Sequence, residues 1–204
     1  MDRVQKRLEI VKKLLPKNII KPVYLDVGIG DATITIGIAK YYNAKKVYGA
    51  TNIVDFNISE VEIIDTSNYI IDLPENSIDL ITAFMSLHHL EPKKGLPSIL
   101  ESMRKVAKPG AYFFIRDHDV GNNIRIRRQS SFKNKHQVIN YLNEIHKQYG
   151  DDPKTITYWD KYDLRQLIES YGFKHIADFN APIITSKKIN NKQMIYHSLF
   201  KLNK

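Results

Sequence analysis

The chain has 204 residues, a net charge of +9 at pH 7, a hydrophobic fraction of 43% and no cysteine. The absence of cysteine excludes disulfides, cysteine-ligated zinc and cysteine-nucleophile chemistry. No apolar run reaches the roughly 18 to 20 residues that a membrane-spanning helix needs, and no targeting signal is evident. We therefore expect one globular domain over 1–204, located in the cytoplasm.

The first half of the chain alternates helical and strand patterns. Apolar residues recur at helical spacing from Val4 to Leu15, and Pro16 ends this N-terminal helix at 1–16. In chain order we then predict a strand at 22–27, a helix at 32–42, strands at 46–50, 61–65 and 77–84, a helix at 96–107, a turn at 108–110 and a strand at 111–116. The link between the second and third strands leaves room for one short helix or a loop. This alternation predicts a parallel α/β sheet.

The second half of the chain has a different pattern. A polar and basic segment at 118–135 precedes a helix at 137–149 and another at 160–171. Asp160 or Asp163 is suited to cap the later helix. Two further strands, at 173–179 and 194–200, follow one another without an intervening helix, which predicts an antiparallel terminal hairpin.

The glycine-rich loop after the first strand is the most specific local signal. Asp26 ends an apolar run, Gly28 and Gly30 follow one residue apart, and Ala32 opens the next helix. Glycines let a ligand approach the backbone, and the N-terminus of the helix offers unpaired N–H groups. The spacing differs from G-x-G-x-x-G, and no Gly-Lys-Ser/Thr follows, which excludes a P-loop. We expect a nucleotide-like ligand at this loop.

Four motifs together carry a resemblance to a known family. They are LDVGIG at 25–30, DLPENSIDLI at 72–81, SLHHL at 86–90 and VAKPGA at 106–111. In this order they resemble the motifs of class I S-adenosylmethionine (SAM) methyltransferases, particularly the branch with ubiquinone/menaquinone methyltransferases. The resemblance covers about residues 20–117.

The resemblance implies a fold and a cofactor. The fold is a Rossmann-like seven-stranded sheet in the order 3-2-1-4-5-7-6, with strand 7 antiparallel and helices on both faces. SAM would lie across the carboxyl ends of strands 1 to 4, which is the general ligand position in open α/β sheets. The segment 118–160 would then be a helical insertion on the substrate side.

Residue roles follow from matched positions in the family's motifs. The implied cofactor-binding residues are Asp26, Gly28, Gly30, Thr51, Asn52, Asp65, Thr66, Phe84 and Met85. Asp26 would orient the glycine turn and help to hold the methionine ammonium, directly or through water. Asp65 or Thr66 would lie near the adenine, and Phe84 and Met85 would line the methionine and the sulfonium methyl.

One position departs from the family. Its second strand usually ends in an acidic residue that holds both ribose hydroxyls, and Thr51 stands there in this chain. Asn52 or Asp55 are the candidates to substitute. If neither does, the lost charge-assisted hydrogen bond weakens cofactor binding by about 1–3 kcal/mol. This departure keeps open the hypothesis of a non-catalytic binding module with the same fold.

Polar residues after the fourth and fifth strands are the catalytic candidates, namely His88, Asp117, His118 and Asp119. Methyl transfer needs a general base only when the acceptor must lose a proton, and a histidine flanked by carboxylates suits that role. The alternatives are a structural turn at 116–119 and, for the pair His88 and His89, packing and capping. We expect no metal site, because methyl transfer rarely needs one.

The basic segment at 122–135 favours a polyanionic acceptor. Arg125, Arg127 and Arg128 suit bidentate contacts with phosphate, so we interpret them as substrate-binding and narrowly favour RNA or another phosphate-bearing acceptor. The alternatives are a small-molecule acceptor, as in most of the resembling branch, and a solvated loop. The overall positive charge does not decide between them, because a joint excess of Lys, Ile, Asn and Tyr also follows from an AT-rich genome.

Overall fold

A computed structural model describes residues 3–53, 58–120, 135–180 and 195–203. Within these ranges one sheet has the strand order β3-β2-β1-β4-β5-β7-β6. Its strands are β1 (Val23–Val27), β2 (Lys46–Thr51), β3 (Glu62–Asp65), β4 (Ile78–Phe84), β5 (Ala107–His118), β6 (Phe173–Asn180) and β7 (Ile195–Leu202). The helices are α1 (Arg3–Leu14), α2 (Thr33–Tyr42), α3 (Gly95–Val106), α4 (Lys135–Gln148) and α5 (Lys161–Ser170), with 3₁₀ turns at Leu87–His89 and Pro153–Thr155. The predicted fold class and strand order are confirmed.

The pairing directions place four strand ends at one edge of the sheet. β1 pairs in parallel with β2 and with β4, and β2 pairs in parallel with β3. The loops that follow these strands therefore meet at the carboxyl edge of the sheet. β7 runs antiparallel between β5 and β6, which confirms the predicted terminal hairpin.

Helices cover both faces of the sheet. Successive residues of a strand point to opposite faces, so the apolar strands present buried side chains on each side. Tyr24 and Phe114 are buried in a cluster with apolar side chains of α1 and α2. Their neighbours Leu25 and Phe113 are buried in a second cluster with side chains of α3 and α5. None of the described helices is both long enough and apolar enough to span a membrane.

The start of β5 differs from the prediction. The sequence predicts a turn at 108–110 and a strand from Ala111, whereas β5 begins at Ala107, directly after α3. The pairing with β4 passes from Ala107 opposite Ile78 to Tyr112 opposite Leu80, so the residues between bulge out of the ladder. Pro109 has no N–H to donate and Gly110 adopts a φ of 81°, which suits a bulge.

Two other local predictions concern connections. Asp160 caps α5, since its carboxylate accepts a hydrogen bond of 2.8 Å from the N–H of Tyr162, and this confirms one of the two proposed caps. The connection between β2 and β3 falls partly on 54–57, which lie outside the described residues. In its described part, a turn is closed by the bond from Val61 N to Ile58 O.

Candidate active site

The two glycines after β1 have different surroundings. Gly28 has a φ of 77°, and a Cβ added there would lie 2.3 Å from the Cβ of Ser86. Gly30 has a φ of 54°, and an added Cβ would meet no heavy atom within 4 Å. Gly28 therefore lets the loop pack against the residues after β4. Gly30 exposes its backbone to open space, where a ligand can approach it closely.

Asp26, which directly precedes the glycine loop, links β1 to α2 and β4 through hydrogen bonds. Its buried carboxylate accepts hydrogen bonds of 2.5 Å from the hydroxyl of Thr35 in α2 and 2.6 Å from the hydroxyl of Thr82 in β4. Burial raises the pKa of Asp26 to about 6, and the two hydroxyls act against that rise. Both carboxylate oxygens thus accept bonds from within the protein. The role of Asp26 toward a ligand ammonium stays a prediction.

The raised pKa of Asp26 gives a testable pH dependence. Since its folded pKa of about 6 exceeds the ordinary 3.8, the folded state binds more protons between these values, and the stability contributed by this group falls as pH rises. Relative to Asp26→Asn, we expect wild type to lose about 2 kcal/mol of unfolding free energy between pH 4 and pH 7. Urea denaturation of both proteins measures it. A difference that stays constant with pH would contradict the buried, raised carboxyl.

The ends of β2 and β3 form one corner of the site. Thr51 and Asp65 are register partners, and the N–H of Thr66 donates to the carbonyl of Thr51. The hydroxyl of Thr51 accepts a 3.1 Å bond from the N–H of Ile53. Asp65 and Asn52 are exposed at this corner. Asp65 therefore presents a carboxylate beside the residue that replaces the expected acid, while Asp55 lies outside the described residues.

The backbone after β4 turns sharply beside the glycine loop. Met85 has a φ of 55°, an uncommon conformation for a residue with a side chain, and its N–H donates to the carbonyl of Arg116 at 2.7 Å. The hydroxyl of Ser86 then donates to the carbonyl of Val27 at 2.6 Å. Phe84 lies half-buried against Phe114, with ring centroids 5.4 Å apart. Strained residues of this kind concentrate at functional sites.

The catalytic candidates after β4 and β5 come together in a buried polar cluster. Asp117 Oδ1 lies 2.6 Å from Nδ1 of His88 and accepts a 2.7 Å bond from the N–H of His118. Nε2 of His118 lies 3.3 Å from Nε2 of His146 in α4. His88 is 1% exposed and Asp119 is 4% exposed. Of the four predicted catalytic residues, the structure brings together His88, Asp117 and His118. Asp119 is buried nearby in sequence, and its carboxylate accepts a bond from the N–H of Lys161.

Burial dominates the electrostatics of the cluster. Desolvation together with the neighbouring imidazole of His88 lowers the pKa of His118 to about 3 and that of His89, which is only partly desolvated, to about 4. Burial alone would raise the pKa of Asp117, but His88 and His118 hold it below the ordinary 3.8. The cluster therefore combines the neutral imidazoles of His89 and His118 with the ionised carboxylate of Asp117.

The segment from α4 to α5 covers this cluster. The N–H of Thr157 donates to the carbonyl of His88 at 2.8 Å, and the N–H of Val120 donates to Trp159 at 3.2 Å. Val138 and Leu142 of α4 are buried against Val120. The end of β5 and the turn after β4 are thus enclosed by residues 138–159.

The sequence did not identify two members of the cluster, and three predicted substrate-binding residues lie outside the described residues. His146 and Asp151 are 2.7 Å apart through Nδ1 and Oδ2, and neither was a predicted site residue. The available signal was a histidine on the apolar face of a helix, four residues after Leu142. Arg125, Arg127 and Arg128 lie outside the described residues.

Comparisons with known proteins agree with this geometry. A family described as "Methyltransferase domain" matches residues 3–177. Among curated proteins no sequence matches the chain.

Three solved structures illustrate the similarity in fold. A chain of the Haloferax volcanii complex between the Trm112 methyltransferase activator and a methyltransferase has a TM-score of 0.69 at 9% identity, with 97% of this chain and 89% of that chain covered. An S-adenosylmethionine-dependent methyltransferase from Mesorhizobium loti has a TM-score of 0.69 at 12% identity, covering 95% and 96%. One from Aquifex aeolicus has a TM-score of 0.61 at 17% identity, covering 98% and 89%.

Proposed function

The chain belongs to the methyltransferase domain family, and from this premise we propose that it methylates a small-molecule acceptor enclosed beneath α4. SAM is its cofactor. We also infer that it stands in the branch of ubiquinone/menaquinone methyltransferases, on the order of the four sequence motifs. The acceptor class rests on one observation, the cover that residues 138–159 form over the ends of β4 and β5.

The residues at the carboxyl edge of β1–β4 fit SAM. A Cβ at Gly30 would point into open space beside the loop, so the glycine leaves room for a ligand against the backbone. From the family resemblance we propose that Thr51 and Asp65 contact the ribose and adenine, and that Phe84 and Met85 line the methionine. The cofactor supplies an electrophilic methyl group on a sulfonium for in-line displacement.

This chain's own contribution to the reaction is positioning and the exclusion of water. The bond from Ser86 to Val27 fixes the backbone after β4 next to the glycine loop. Asp117 orients His88 through Nδ1, which leaves Nε2 of that imidazole as the proton-accepting atom. We propose that His88 or a neighbouring imidazole accepts the proton when the acceptor loses one.

Enclosure of the cluster favours a small acceptor over a polymer. Among the described residues, the covering segment leaves His88 only 1% exposed, so a nucleic-acid strand could contact it only if that segment moved. We propose that a small acceptor, by contrast, would be shielded from water by the same covering residues. RNA or another phosphate-bearing acceptor remains the second candidate, because the chain carries a net charge of +9 and three arginines at 125–128.

Transfer of a labelled methyl group distinguishes a small-molecule acceptor from an RNA acceptor. The protein is incubated with methyl-labelled SAM and a cell extract, which is then divided into small molecules, RNA and protein. We expect label in the small-molecule fraction, and its loss on addition of excess S-adenosylhomocysteine. Label in RNA instead would contradict the proposal. In that case an Arg127→Ala/Arg128→Ala variant should bind RNA with a smaller salt dependence.

A further inference from the structure

Four imidazole rings meet at one place beneath α4. The histidine cluster consists of His88, His89, His118 and His146. Ring centroids lie 4.2 Å apart for His88 and His89, 5.0 Å for His88 and His118, 5.1 Å for His88 and His146, and 5.4 Å for His118 and His146. Three of the four are buried, and His89 is exposed. Packing of the rings against one another does not explain what the ring nitrogen atoms bind.

Carboxylates fix the proton positions on two of the rings. Nδ1 of His88 lies 2.6 Å from Asp117, and Nδ1 of His146 lies 2.7 Å from Asp151. Because an ionised carboxylate only accepts hydrogen bonds, each Nδ1 carries the proton and each Nε2 presents a lone pair. Nε2 of His88 is buried and has no hydrogen-bond partner among the described residues. A carboxylate behind Nδ1 is the usual support of a metal-binding histidine.

We propose that His88, His89 and His146 bind one divalent transition-metal ion. One ligand atom from each of these histidines lies within 4.8 Å of the other two. Around a tetrahedral ion with bonds of about 2.0–2.1 Å, ligand nitrogens are about 3.3 Å apart. Nε2 of His118 lies at hydrogen-bond distance, 3.3 Å, from Nε2 of His146, so this bond must break when an ion binds His146.

The donor set indicates the kind of ion. Imidazole nitrogen suits zinc, copper, iron and nickel, and the ligand set lacks the oxygens that magnesium and calcium prefer. Asp117 and Asp151 supply two negative charges behind the ligands, which balance a divalent cation. Three histidines with an open fourth position are typical of zinc sites that bind water or a substrate. We therefore take Zn²⁺ as the ion to test.

This inference departs from the expectation of no metal. The sequence shows the pair at 88–89 but not that His146 and the two carboxylates join it, because those contacts form between distant elements. Metal binding can be measured without SAM or an acceptor, so it is tested independently of the proposed function. With an ion on Nε2 of His88, the proton acceptor proposed above would be the neighbouring imidazole of His118.

Metal titration of the tag-free protein, stripped with chelator, tests the site. We expect one Zn²⁺ per chain by calorimetry and one Co²⁺ per chain with the visible absorption bands of tetrahedral cobalt. Exposed His89 can be replaced without disturbing the core, and His89→Asn should weaken Zn²⁺ binding at least tenfold. Asp151→Asn should weaken it about 10- to 100-fold through its effect on His146. His136→Asn, an exposed position on the same helix, is the matched control and should change nothing.

Three results would overturn the proposal. They are the absence of saturable binding at one Zn²⁺ per chain, equal affinity in wild type and His89→Asn, and equal weakening by His136→Asn. If Asp151→Asn does not fold, His89→Asn still decides, because its side chain lies at the exposed side of the histidine cluster. SAM binding by the same protein is measured separately, so failure of the metal site is distinct from failure of the proposed function.

Discussion

Replacing Gly28 with alanine is expected to lower the free energy of unfolding by about 2–5 kcal/mol, from overpacking of about 1–3 kcal/mol and a left-handed backbone cost of about 1–2 kcal/mol. The added Cβ would lie 2.3 Å from the Cβ of Ser86 and 3.6 Å from its Cα. Ser86 cannot move aside freely, because its hydroxyl is bonded to Val27. The loop must shift instead, and with it the backbone that faces the cofactor. Urea denaturation measures the loss of stability.

Gly150→Ala is the matched control for this prediction. Gly150 has a φ of 86°, but an added Cβ there meets nothing within 4 Å. It should therefore show the backbone cost alone, about 1–2 kcal/mol. In a double-mutant cycle, Gly28→Ala should cost less in the Ser86→Gly background than in wild type, because the added Cβ then meets no side chain at position 86. Equal losses for Gly28→Ala and Gly150→Ala, together with zero coupling, would contradict the contact between the loop and Ser86.

Replacing Asp117 with alanine is expected to lower the free energy of unfolding by about 2–6 kcal/mol, about 1–3 kcal/mol for each of the two buried donors that lose their acceptor. The carboxylate is 2% exposed. Without it, Nδ1 of His88 and the N–H of His118 lose their acceptor in the interior. The orientation of His88 should be lost as well. Chemical denaturation and the imidazole NMR signals of the variant report the two effects.

Asp117→Asn separates the effect of the side chain's shape on stability from the effect of its negative charge. The amide keeps the volume and one acceptor oxygen, so we expect a smaller loss of about 1–3 kcal/mol, from one amide group left unpaired. Asp163→Ala, an exposed position in the first turn of α5, should cost less than about 1 kcal/mol. If Asp117→Ala were no more destabilising than Asp163→Ala, Asp117 would not organise the cluster.

The fold was predictable wherever local pattern and tertiary pairing agree. The run from Val23 to Val27 is apolar apart from Asp26, and Asp160 directly precedes a helical pattern, so strand and cap follow from the residues themselves. The start of β5 was not predictable in this way. Proline and glycine at 109–110 indicate a turn locally, but pairing of Ala107 with Ile78 extends the strand across them as a bulge. Long-range pairing outweighed the local signal there.

The candidate site was predictable in part for a similar reason. Residues at or shortly after the ends of buried strands, such as Gly28, His88 and Asp117, can be assigned to the carboxyl edge of the sheet from their position alone. His146 lies in a helix whose packing over β5 is not encoded in its own spacing. The internal bonds of Asp26 to Thr35 and Thr82 likewise depend on how α2 and β4 approach β1. Such contacts between distant elements require the structure.

Calorimetric titration with SAM tests the central claim most directly, and Gly30→Ala is its sharpest variant. We expect saturable binding of one SAM per wild-type chain, and binding of S-adenosylhomocysteine at the same site. Because a Cβ at Gly30 points into open space, Gly30→Ala should lose at least tenfold in affinity, with only the backbone cost of about 1–2 kcal/mol in stability. No binding of SAM at millimolar concentration, or unchanged affinity in Gly30→Ala, would contradict a cofactor site at the carboxyl edge of β1–β4.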